Sequence, residues 1–410
     1  MQYVIVGGSI AATTAINVIR VNRPDAKIQV VADEAVPFYY RALIPFLLDK
    51  SRTVDQILFT EQPTDDKRVR FHHDRCIGVN STQKVIHLDS GNSGNTLPYD
   101  KLLLAAGSSS LRPDIPGVGS TGVYTLRNMD EALNVRDALA SGECRQAVVV
   151  GGALAGIKMA EALQRTGVHV TVVEQLPSIL PFIADPETAQ RMSQKLEQKG
   201  MKIHTNDSAE EILATDGKAA GVRLVSGKII PADLVLLMVG VRPNVEFLAG
   251  SGVDTDLAVL TDQEMQTSVP DIYAAGDMVQ IHDAVTGEDV VSALWGNAVH
   301  MGRTAGCNMS GIKAVVPPLL SSLNSTEIAG LPIISAGLIH PQSEQYTVYA
   351  EAHGESYRKL IFDQDRLVGM IFLGDITKAG VYINLIRNRI ALGGRKDALI
   401  REVMSVLGTL

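Results

Sequence analysis

Apolar and polar positions follow two different periods in the opening segment of the chain. Residues 3–6 are a short β-branched and aromatic run, which is the pattern of a buried strand. Small residues occupy positions 7–9, 11 and 12, and apolar side chains recur at helical spacing from Ala12 onward. Residues 27–31 predict a second strand, and Glu34 follows it. The pattern predicts a strand, a tight turn, a helix and a second strand that ends near an acid.

A second copy of this pattern begins at residue 147. Residues 147–163 repeat the strand, the small-residue turn and the helix, with Gly151 at the position of Gly7. Another apolar strand follows, and Glu174 takes the place of Glu34. Two copies of one unit are much harder to obtain by chance than a single copy. The chain is therefore expected to contain a repeated functional unit.

Each copy has the parts of a dinucleotide-binding βαβ unit. A turn of small residues lets backbone N–H groups at the helix start reach a pyrophosphate, and the acid accepts bonds from ribose hydroxyls. In the first copy Ser9 and Ala12 replace the second and third glycines of the motif, so alone it is equally compatible with an ordinary strand–turn–helix. The second copy has Gly151, Ala153 and Gly156 at these places. The pair predicts two dinucleotide sites, for which a flavin and a nicotinamide are the natural combination.

Further candidate residues follow other apolar runs. Runs of strand length end in small or polar residues at Gly107, Gly240 and Asp277. Arg41 lies in an aromatic and apolar segment, residues 37–50, which is compatible with a packed helix or with a guanidinium that contacts a phosphate. Because this segment directly follows Glu34, the phosphate contact is the favoured interpretation.

The pattern of apolar and polar residues changes beyond Pro317–Pro318. Three alternating strands are predicted there, at residues 346–350, 357–362 and 367–373, followed by a helix near residues 378–390. This pattern predicts a separate α+β domain without a nucleotide motif. Nearer the start of the chain, residues 69–88 predict a small meander with a turn at residues 90–95.

Composition narrows the function classes. The chain has 410 residues, 46% of them hydrophobic and 20% charged, which suits two or three globular domains. A net charge of -8 argues against a nucleic-acid-binding protein. No apolar run is long enough to span a membrane, and no signal peptide is expected. Three scattered cysteines predict neither a local disulfide nor a four-cysteine cluster, and we expect no metal site and a cytoplasmic protein.

These motifs resemble those of the two-dinucleotide flavoprotein reductases of the pyridine nucleotide–disulfide oxidoreductase superfamily. The resemblance covers nearly the whole chain and is carried, in order, by VIVGGSIAA, YYR, LLLAAGSSS, VVVGGALAG, VGVRPN and DIYAAGD. The C-terminal KLIFDQDRLVGMIFLGD resembles the terminal domain of the rubredoxin reductase and nitrite reductase branch.

The resemblance implies an α/β fold with two Rossmann-like dinucleotide-binding domains, for FAD and NAD, and a C-terminal α+β domain. The expected FAD-binding domain is discontinuous, at residues 1–110 and 245–316. The NAD-binding domain is expected at residues 111–244, and the C-terminal interface domain at residues 317–410.

The resemblance also implies roles for single residues. Those expected to bind FAD are Gly7, Ser9 and Ala12 at the pyrophosphate, Glu34 at the ribose, Arg41 at the phosphates, Ala106 and Gly107 along the flavin, and Asp277 at the ribityl chain or pyrophosphate. Those expected to bind NAD are Gly151, Ala153, Gly156, Glu174, Gly240 and Arg242. Glu174 favours NADH over NADPH, because a carboxylate repels a 2′-phosphate.

Two positions depart from the family pattern. Ala42 stands where related branches carry a single redox cysteine, so no thiol is expected to relay electrons from the flavin. Lys158 stands where the family usually has a glutamate. It is either a solvent-facing helix residue or a cation that tunes the flavin potential.

The resemblance therefore implies an FAD-dependent NADH:acceptor oxidoreductase. Its expected partner is an iron–sulfur or rubredoxin-type protein, and it is expected to form an oligomer or to serve as a subunit of a larger complex, such as a 2-oxoacid oxidoreductase. The alternatives are an NADH oxidase that reduces oxygen or peroxide, and a non-catalytic flavin-bound structural subunit.

Overall fold

The computed structural model describes residues 1–90 and 95–405 of the chain. The described part of the first region, residues 1–110, contains one long and one short α-helix, together with strands of a parallel sheet and of a small antiparallel sheet. The elements of this region are β1 (Gln2–Val6), α1 (Ile10–Asn22), β2 (Lys27–Ala32), α2 (Pro45–Leu48), β3 (Val69–His73), β4 (Cys76–Asn80), β5 (Val85–Leu88), β6 (Thr96–Pro98), β7 (Lys101–Leu104) and β8 (Ser108–Ser110).

The second region, residues 111–244, repeats the alternation of strands and helices. Its elements are β9 (Val123–Thr125), α3 (Met129–Ala140), β10 (Gln146–Val150), α4 (Leu154–Arg165), β11 (His169–Val173), α5 (Pro186–Gln198), β12 (Lys202–His204), β13 (Ala209–Thr215), β14 (Lys218–Leu224), β15 (Ile229–Pro231), β16 (Leu234–Leu237) and β17 (Val241–Pro243).

The remaining elements belong to two further stretches of chain. The stretch before residue 317 contains β18 (Ile272–Ala274), β19 (Gln280–His282), β20 (Asp289–Val291) and α6 (Trp295–Met309). The stretch after it contains β21 (Leu323–Ile328), β22 (Leu331–Gly337), β23 (Tyr346–His353), β24 (Ser356–Asp363), β25 (Arg366–Leu373), α7 (Ala379–Arg387) and α8 (Lys396–Ser405).

Two parallel sheets organise the molecule, which confirms the predicted α/β class. The first has the strand order β18-β7-β1-β2-β3, and the second has the order β12-β11-β10-β16-β9. In each sheet the first strand of a repeated unit pairs with the second, with Tyr3 opposite Ile28 and Val148 opposite Thr171. Each unit therefore has the parallel strand arrangement in which a ligand binds at the carboxyl ends of the strands.

Small residues let α6 cover α1. A Cβ atom built on Gly302 would lie 2.3 Å from the Ala11 carbonyl oxygen, and one on Gly306 would lie 2.9 Å from that of Ala15. The two glycines are four residues apart, so they lie on one face of α6 and allow close helix packing. This contact places the middle of α6 against the start of α1, which follows the first glycine-containing turn.

The C-terminal sheet has five antiparallel strands in the order β21-β22-β25-β24-β23. The sequence pattern predicted β23, β24 and β25 but not β21 or β22. Strand β21 lies at the sheet edge and its sequence, LNSTEI, is mostly polar, so it lacks the apolar signal of a buried strand. Helix α8 was also not predicted.

The predicted meander is only partly right. Strand β3 joins the first parallel sheet, whereas β4, β5 and β6 form a separate antiparallel sheet. The turn predicted at residues 90–95 falls largely on residues 91–94, outside the described residues. Nowhere in residues 1–90 and 95–405 is there a helix with both the length and the apolar character needed to cross a membrane.

One hydrophobic core joins three parts of the chain. It contains Leu47 from α2, Leu163 from α4 and Leu331 from the β21–β22 hairpin. The hairpin tip therefore packs against the second region and not only against its own sheet. Because these contacts are buried, the C-terminal sheet is held firmly beside the candidate site.

Candidate functional site

A cleft of about 2150 Å³ runs between the two parallel sheets and the C-terminal sheet. Twelve of the fifteen residues predicted from the sequence line it: Gly7, Ser9, Glu34, Arg41, Ala106, Gly107, Gly151, Ala153, Lys158, Glu174, Gly240 and Asp277. Ala12, Gly156 and Arg242 do not line its wall. The fold thus brings both repeated units to one continuous space.

The turns of the two units have the same geometry. Gly7 has a φ of 116° and Gly151 a φ of 110°, values that side-chain-bearing residues rarely adopt. A Cβ on Gly7 would lie 2.0 Å from the Ala105 carbonyl oxygen, and a Cβ on Gly151 would lie 2.2 Å from that of Met238. In both places the turn passes directly over the end of the neighbouring strand, so only glycine fits.

Ala12 and Gly156 lie beneath the cleft. Ala12 is fully buried, and a Cβ on Gly156 would lie 2.0 Å from the Gly151 carbonyl oxygen. Their small size lets each helix approach the turn before it. The structure therefore places the third motif residue at the helix–turn contact, whereas Ala12 was expected at the FAD pyrophosphate and Gly156 beside the nicotinamide dinucleotide.

The helices after these turns start without a side-chain cap. Ser9 and Ala153 are the N-cap residues of α1 and α4, neither makes a side-chain cap hydrogen bond, and neither helix has an acid in its first turn. By contrast, α3 is capped by Asn128 and α5 by Asp185. Uncapped N–H groups and the positive end of the helix dipole together suit an anion.

Glu34 and Arg41 form an ion pair at the mouth of the first unit. Arg41 Nε also donates to Ser9 Oγ at 3.3 Å, and the hydroxyl of Tyr39 donates to Glu34 Oε2 at 2.6 Å. Burial, followed by the neighbouring Glu34 charge, raises the pKa of Tyr39 and keeps its hydroxyl protonated. Arg41 and Glu34, which were predicted to bind FAD, are thus adjacent, and the Tyr39 hydroxyl holds the Glu34 carboxylate in place.

Arg127 also lines the cleft wall, although the sequence motifs did not predict it. Its Nη2 donates to Asp277 Oδ2 at 2.6 Å and to Ser108 Oγ at 2.7 Å, and its Nε donates to the Ser108 carbonyl at 2.6 Å. Its own carbonyl accepts from Arg41 Nη1 at 3.3 Å. A signal was available, since Arg127 directly precedes the Asn128 capping box at the carboxyl end of a parallel strand.

Glu174 lies directly over the second turn and is 5% exposed. Its Oε2 accepts from the Gly152 N–H at 2.6 Å, and its Oε1 accepts from the Leu176 N–H at 2.8 Å. Each oxygen has a further lone pair for a ribose hydroxyl. The two backbone donors hold the carboxylate at the place where the motif requires the acid.

A two-stranded ribbon joins the two parallel sheets. Strand β8 pairs antiparallel with β17, which places Arg242 opposite Ser109. Asn244 Nδ2 donates to the Ala106 carbonyl at 2.9 Å, and the Leu111 N–H donates to the Gly240 carbonyl at 2.9 Å. The ribbon brings Ala106, Gly107 and Gly240 together, whereas the Arg242 side chain extends outward and pairs with Glu246.

Lys158 is tied to two different elements. Its Nζ donates to Glu161 Oε2 at 2.9 Å and to the Glu327 carbonyl of β21 at 2.8 Å. Glu161 Oε1 in turn accepts from the Ala329 N–H at 2.9 Å. Lys158 therefore lies in the cleft wall and also joins α4 to the C-terminal hairpin, so it is not a freely solvated helix residue.

The thiol nearest to this site is buried. Ala42 lies exposed in the cleft wall, and of the three cysteines only Cys76 lines the cleft. Burial raises the pKa of Cys76 to about 11, so its thiol is protonated at neutral pH. A protonated thiol is a poor nucleophile for disulfide or persulfide chemistry.

The donors in the cleft fit two dinucleotides. Each of the two uncapped helix starts can bind a phosphate through its N–H groups. In each unit the strand after the helix leads to an acid, Glu34 or Glu174, that can bind ribose hydroxyls. The tight turns leave no room for side chains between the backbone and a ligand. Arg41 and Arg127 place guanidinium donors of the kind that bind phosphate beside the first unit, where each is paired with a carboxylate.

Comparison with known proteins agrees with this geometry. Residues 1–302 match the family model of the pyridine nucleotide-disulphide oxidoreductases, and residues 323–390 match that of the rubredoxin NAD+ reductase C-terminal domain. An NADH oxidase from Methanocaldococcus jannaschii is 33% identical over 350 residues, which are 82% of this chain and 76% of the relative.

Two further relatives extend over more of the chain. The epsilon subunit of an NADH-dependent phenylglyoxylate dehydrogenase from Aromatoleum evansii is 31% identical over 420 residues, covering 99% of this chain and 96% of the subunit. The structure of an NAD-dependent persulfide reductase from A. fulgidus superposes with a TM-score of 0.89 at 26% identity, covering 96% of this chain and 78% of that one.

Proposed function

The chain belongs to the pyridine nucleotide-disulphide oxidoreductase family, and from this premise we propose that it transfers electrons from NADH to an iron–sulfur or rubredoxin-type protein. Members of this family use FAD and NAD(P)H, and the chain is an NAD(P)H oxidoreductase. The observation that carries the proposal is the pair of glycine turns, each with its acid, that open into one cleft.

When bound, FAD would accept a hydride and release its electrons one at a time. The residues that would hold it are Gly7 and Ser9 at the pyrophosphate, Glu34 at the ribose, and Arg41 and Asp277 near the phosphates and ribityl chain. Arg127 would fix Asp277 from the opposite sheet through their ion pair. The role of these side chains is to bind and orient, and no acid–base group is required of them.

The second unit would hold NADH. The start of α4 would receive the pyrophosphate, and Glu174 would accept the ribose hydroxyls. A 2′-phosphate would bring negative charge against a buried carboxylate, so NADH is the preferred reductant. The β8–β17 ribbon, with Gly240, would then place the nicotinamide end beside Ala106 and Gly107.

The acceptor is proposed to be a separate protein. Ala42 occupies the position of the relay cysteine, and the buried Cys76 thiol is not poised to replace it. Electrons would therefore leave directly from the flavin. The match of residues 323–390 to a rubredoxin reductase domain supports a one-electron protein carrier as the acceptor.

We further propose that the chain serves as the flavoprotein subunit of a larger complex. The support is the likeness along nearly the whole chain to the epsilon subunit of a phenylglyoxylate dehydrogenase. In such a complex an iron–sulfur subunit would take the place of free rubredoxin, and electron flow toward NAD is equally compatible with the site. Purification from the source organism tests this point, because stable partner subunits would copurify.

A second candidate function is an NADH oxidase. It is favoured by the 33% identity to the Methanocaldococcus jannaschii enzyme. The two functions differ in their acceptors, so one assay separates them. The purified, FAD-loaded protein is given NADH with either air or an anaerobic solution of oxidised rubredoxin. Our proposal expects much faster turnover with rubredoxin, whereas rapid turnover in air alone would favour the oxidase.

A further inference from the structure

Tyr39 is a buried residue that links the first region of the chain to the second. It lies between β2 and α2, yet its fully buried ring belongs to the same hydrophobic core as Met129 and Ala132 of α3. Tyr39 does not line the cleft, whereas its chain neighbours Glu34 and Arg41 both do. Any effect of Tyr39 on a ligand must therefore pass through these neighbours.

The Tyr39 hydroxyl makes two hydrogen bonds of opposite direction. It donates to Glu34 Oε2 at 2.6 Å, and it accepts from the Met129 backbone N–H at 3.0 Å. A phenol has one proton to donate, and the bond that it accepts from Met129 orients this proton toward Glu34. Burial raises the pKa of Tyr39, so the proton stays on the hydroxyl at neutral pH. The first turn of α3 therefore fixes the direction in which Tyr39 donates.

The Met129 N–H is available for this role because it begins a helix. Met129 is the first residue of α3, and the first N–H groups of a helix have no partner within the helix. The side-chain cap of α3 binds a different N–H, that of Glu131, which leaves the Met129 N–H to Tyr39. The neighbouring Arg127 carbonyl accepts from Arg41 Nη1 at 3.3 Å. The corner between β9 and α3 thus contacts residues 39–41 through backbone atoms.

The Glu34 carboxylate is held from two sides. Its Oε1 pairs with Arg41, whose Cζ lies 5.1 Å from the centroid of the Tyr39 ring, and its Oε2 accepts from the Tyr39 hydroxyl. Each carboxylate oxygen accepts about two hydrogen bonds, so one position on each oxygen is left for a ribose hydroxyl. Without the Tyr39 hydroxyl, the Oε2 side of the carboxylate would lose the contact that fixes where its remaining lone pair points.

We propose that Tyr39 is a positioning residue that makes recognition of the adenosine ribose of FAD depend on α3 of the second region. The inference rests on the proposed function, in which Glu34 binds that ribose, and it adds the groups that aim the carboxylate. The Met129 N–H orients the Tyr39 hydroxyl, and the hydroxyl orients Glu34. The flavin half of FAD is assigned to other residues, such as Ala106 and Gly107, so Tyr39 acts on the adenosine half.

The test measures how well the protein distinguishes FAD from two analogues, which lack the 2′-hydroxyl or the 3′-hydroxyl of the adenosine ribose. The FAD-containing protein is incubated with an equimolar excess of FAD and one analogue until exchange is complete. Unbound flavin is then removed, the bound flavins are released by heat, and chromatography gives their ratio. Because both ligands compete in one sample, a loss of folded protein changes the amount of flavin but not this ratio. The larger of the two ratios is the readout.

The hydroxyl of Tyr39 should contribute strongly to this preference. In the wild type a missing ribose hydroxyl leaves a charged acceptor without one of its bonds, so we expect FAD to be favoured about tenfold or more. Tyr39→Phe keeps the buried ring but loses the hydroxyl, and the preference should fall to about threefold or less. Tyr99→Phe is the matched control, because Tyr99 is also buried and its hydroxyl has no partner among residues 1–90 and 95–405. It should keep the wild-type preference.

A second pair of variants tests the contribution of α3. Met129→Pro removes the N–H that binds the Tyr39 hydroxyl, and proline is well tolerated at the first position of a helix. Met129→Ala loses the same buried side chain but keeps the N–H. We expect Met129→Ala to remain near the wild-type preference and Met129→Pro to fall at least about twofold below it.

The outcomes separate this inference from the proposed function. If Tyr39→Phe keeps the wild-type preference, or loses no more than Tyr99→Phe, Tyr39 does not position Glu34. If Met129→Pro matches Met129→Ala, α3 does not orient the hydroxyl. Either result overturns the inference and leaves the FAD site in place. A wild type that binds FAD and both analogues equally would show that Glu34 does not bind the ribose, and that part of the proposed function would fail together with the inference.

Discussion

Arg127 Nη2 lies 2.6 Å from Asp277 Oδ2, and this ion pair joins the two parallel sheets across the cleft. Arg127 follows β9 of the second sheet, whereas Asp277 follows β18 of the first. The hydroxyl of Ser108 donates to the same oxygen of Asp277 at 3.2 Å. The relative position of the two sheets is thus coupled to the carboxylate that we assign to the flavin side of the site.

Replacing Arg127 should weaken flavin binding. In Arg127→Gln the side chain keeps hydrogen-bond donors but loses the charge that fixes Asp277, so we expect FAD to bind roughly tenfold more weakly, a change of about 1.4 kcal/mol. FAD content after dialysis and a fluorescence titration of the apoprotein measure this. Arg136→Gln, on the exposed side of α3, is the matched control and should retain FAD. Equal retention by both variants would remove Arg127 from the site.

The preference for NADH should depend on the charge of Glu174. Glu174→Gln keeps an acceptor oxygen for the Gly152 N–H but removes the negative charge that a 2′-phosphate would meet. Because repulsion is lost, the ratio of kcat/KM for NADPH to that for NADH should rise by about tenfold. Adding Gln175→Arg should raise it further. A wild type that uses NADPH as well as NADH would show that Glu174 does not select the reductant.

We propose that the positive charge of Lys158 raises the midpoint potential of the bound flavin. Because Lys158 pairs with Glu161, replacing each residue in turn should shift that potential in opposite directions. Loss of the cation in Lys158→Met should lower the midpoint potential of the bound flavin, by about 30 mV for a stabilisation of 1.4 kcal/mol. Glu161→Gln removes the neutralising charge and should raise the potential. Spectroelectrochemistry measures both. Unchanged potentials would leave Lys158 as a contact between α4 and the β21–β22 hairpin only.

A buried ion pair between the loop before α5 and strand β24 of the C-terminal sheet should matter for stability. Asp185 Oδ2 accepts from Lys359 Nζ at 3.0 Å and from the Tyr357 hydroxyl at 2.6 Å, and all three side chains are buried. Lys359→Met leaves the carboxylate unpaired and should lower the free energy of unfolding by about 3–5 kcal/mol. Lys195→Met breaks an exposed pair with Glu355 and should cost about 0–1 kcal/mol. Urea unfolding followed by circular dichroism compares them, and equal losses would contradict the account.

The Asp185 carboxylate should also make the stability of the protein depend on pH. Burial alone would raise the pKa of Asp185, but the bonds from Tyr357 and Thr188 and the charge of Lys359 lower it below its ordinary value. The contribution of Asp185 to stability is therefore fully present when the pH is above the ordinary aspartate pKa of about 3.9. It is lost as the pH falls through the lower pKa that Asp185 has in the folded protein. The urea midpoint of the wild type should exceed that of Asp185→Asn at neutral pH, and the gap should close in acid.

The sequence predicted what is local in the fold. The repeated units at Gly7 and Gly151 were found because a strand, a turn and a helix each leave a pattern within a few residues. Residues that act across long separations leave no such pattern. Arg127 meets Asp277 only because two sheets lie side by side, and β21 was missed because an edge strand does not need apolar residues.

The candidate site shows the same division. The motif predicted that Glu174 would follow a strand, and it does, but the two backbone N–H groups that hold its carboxylate appear only in the structure. Lys158 was found as a departure from the family pattern, yet its bond to the Glu327 carbonyl depends on a hairpin about 170 residues further along the chain. Spacing predicts which residues line the cleft and does not predict their partners.

Anaerobic mixing of the FAD-loaded protein with NADH tests the central claim most directly. We expect the visible absorbance of the flavin to bleach on mixing with NADH and to return when oxidised rubredoxin is added, with two rubredoxin molecules reduced for each flavin. Such a result requires both dinucleotide units and a one-electron outlet. A protein that retains FAD but shows no bleaching at millimolar NADH would contradict the account and would favour a structural role for the bound flavin.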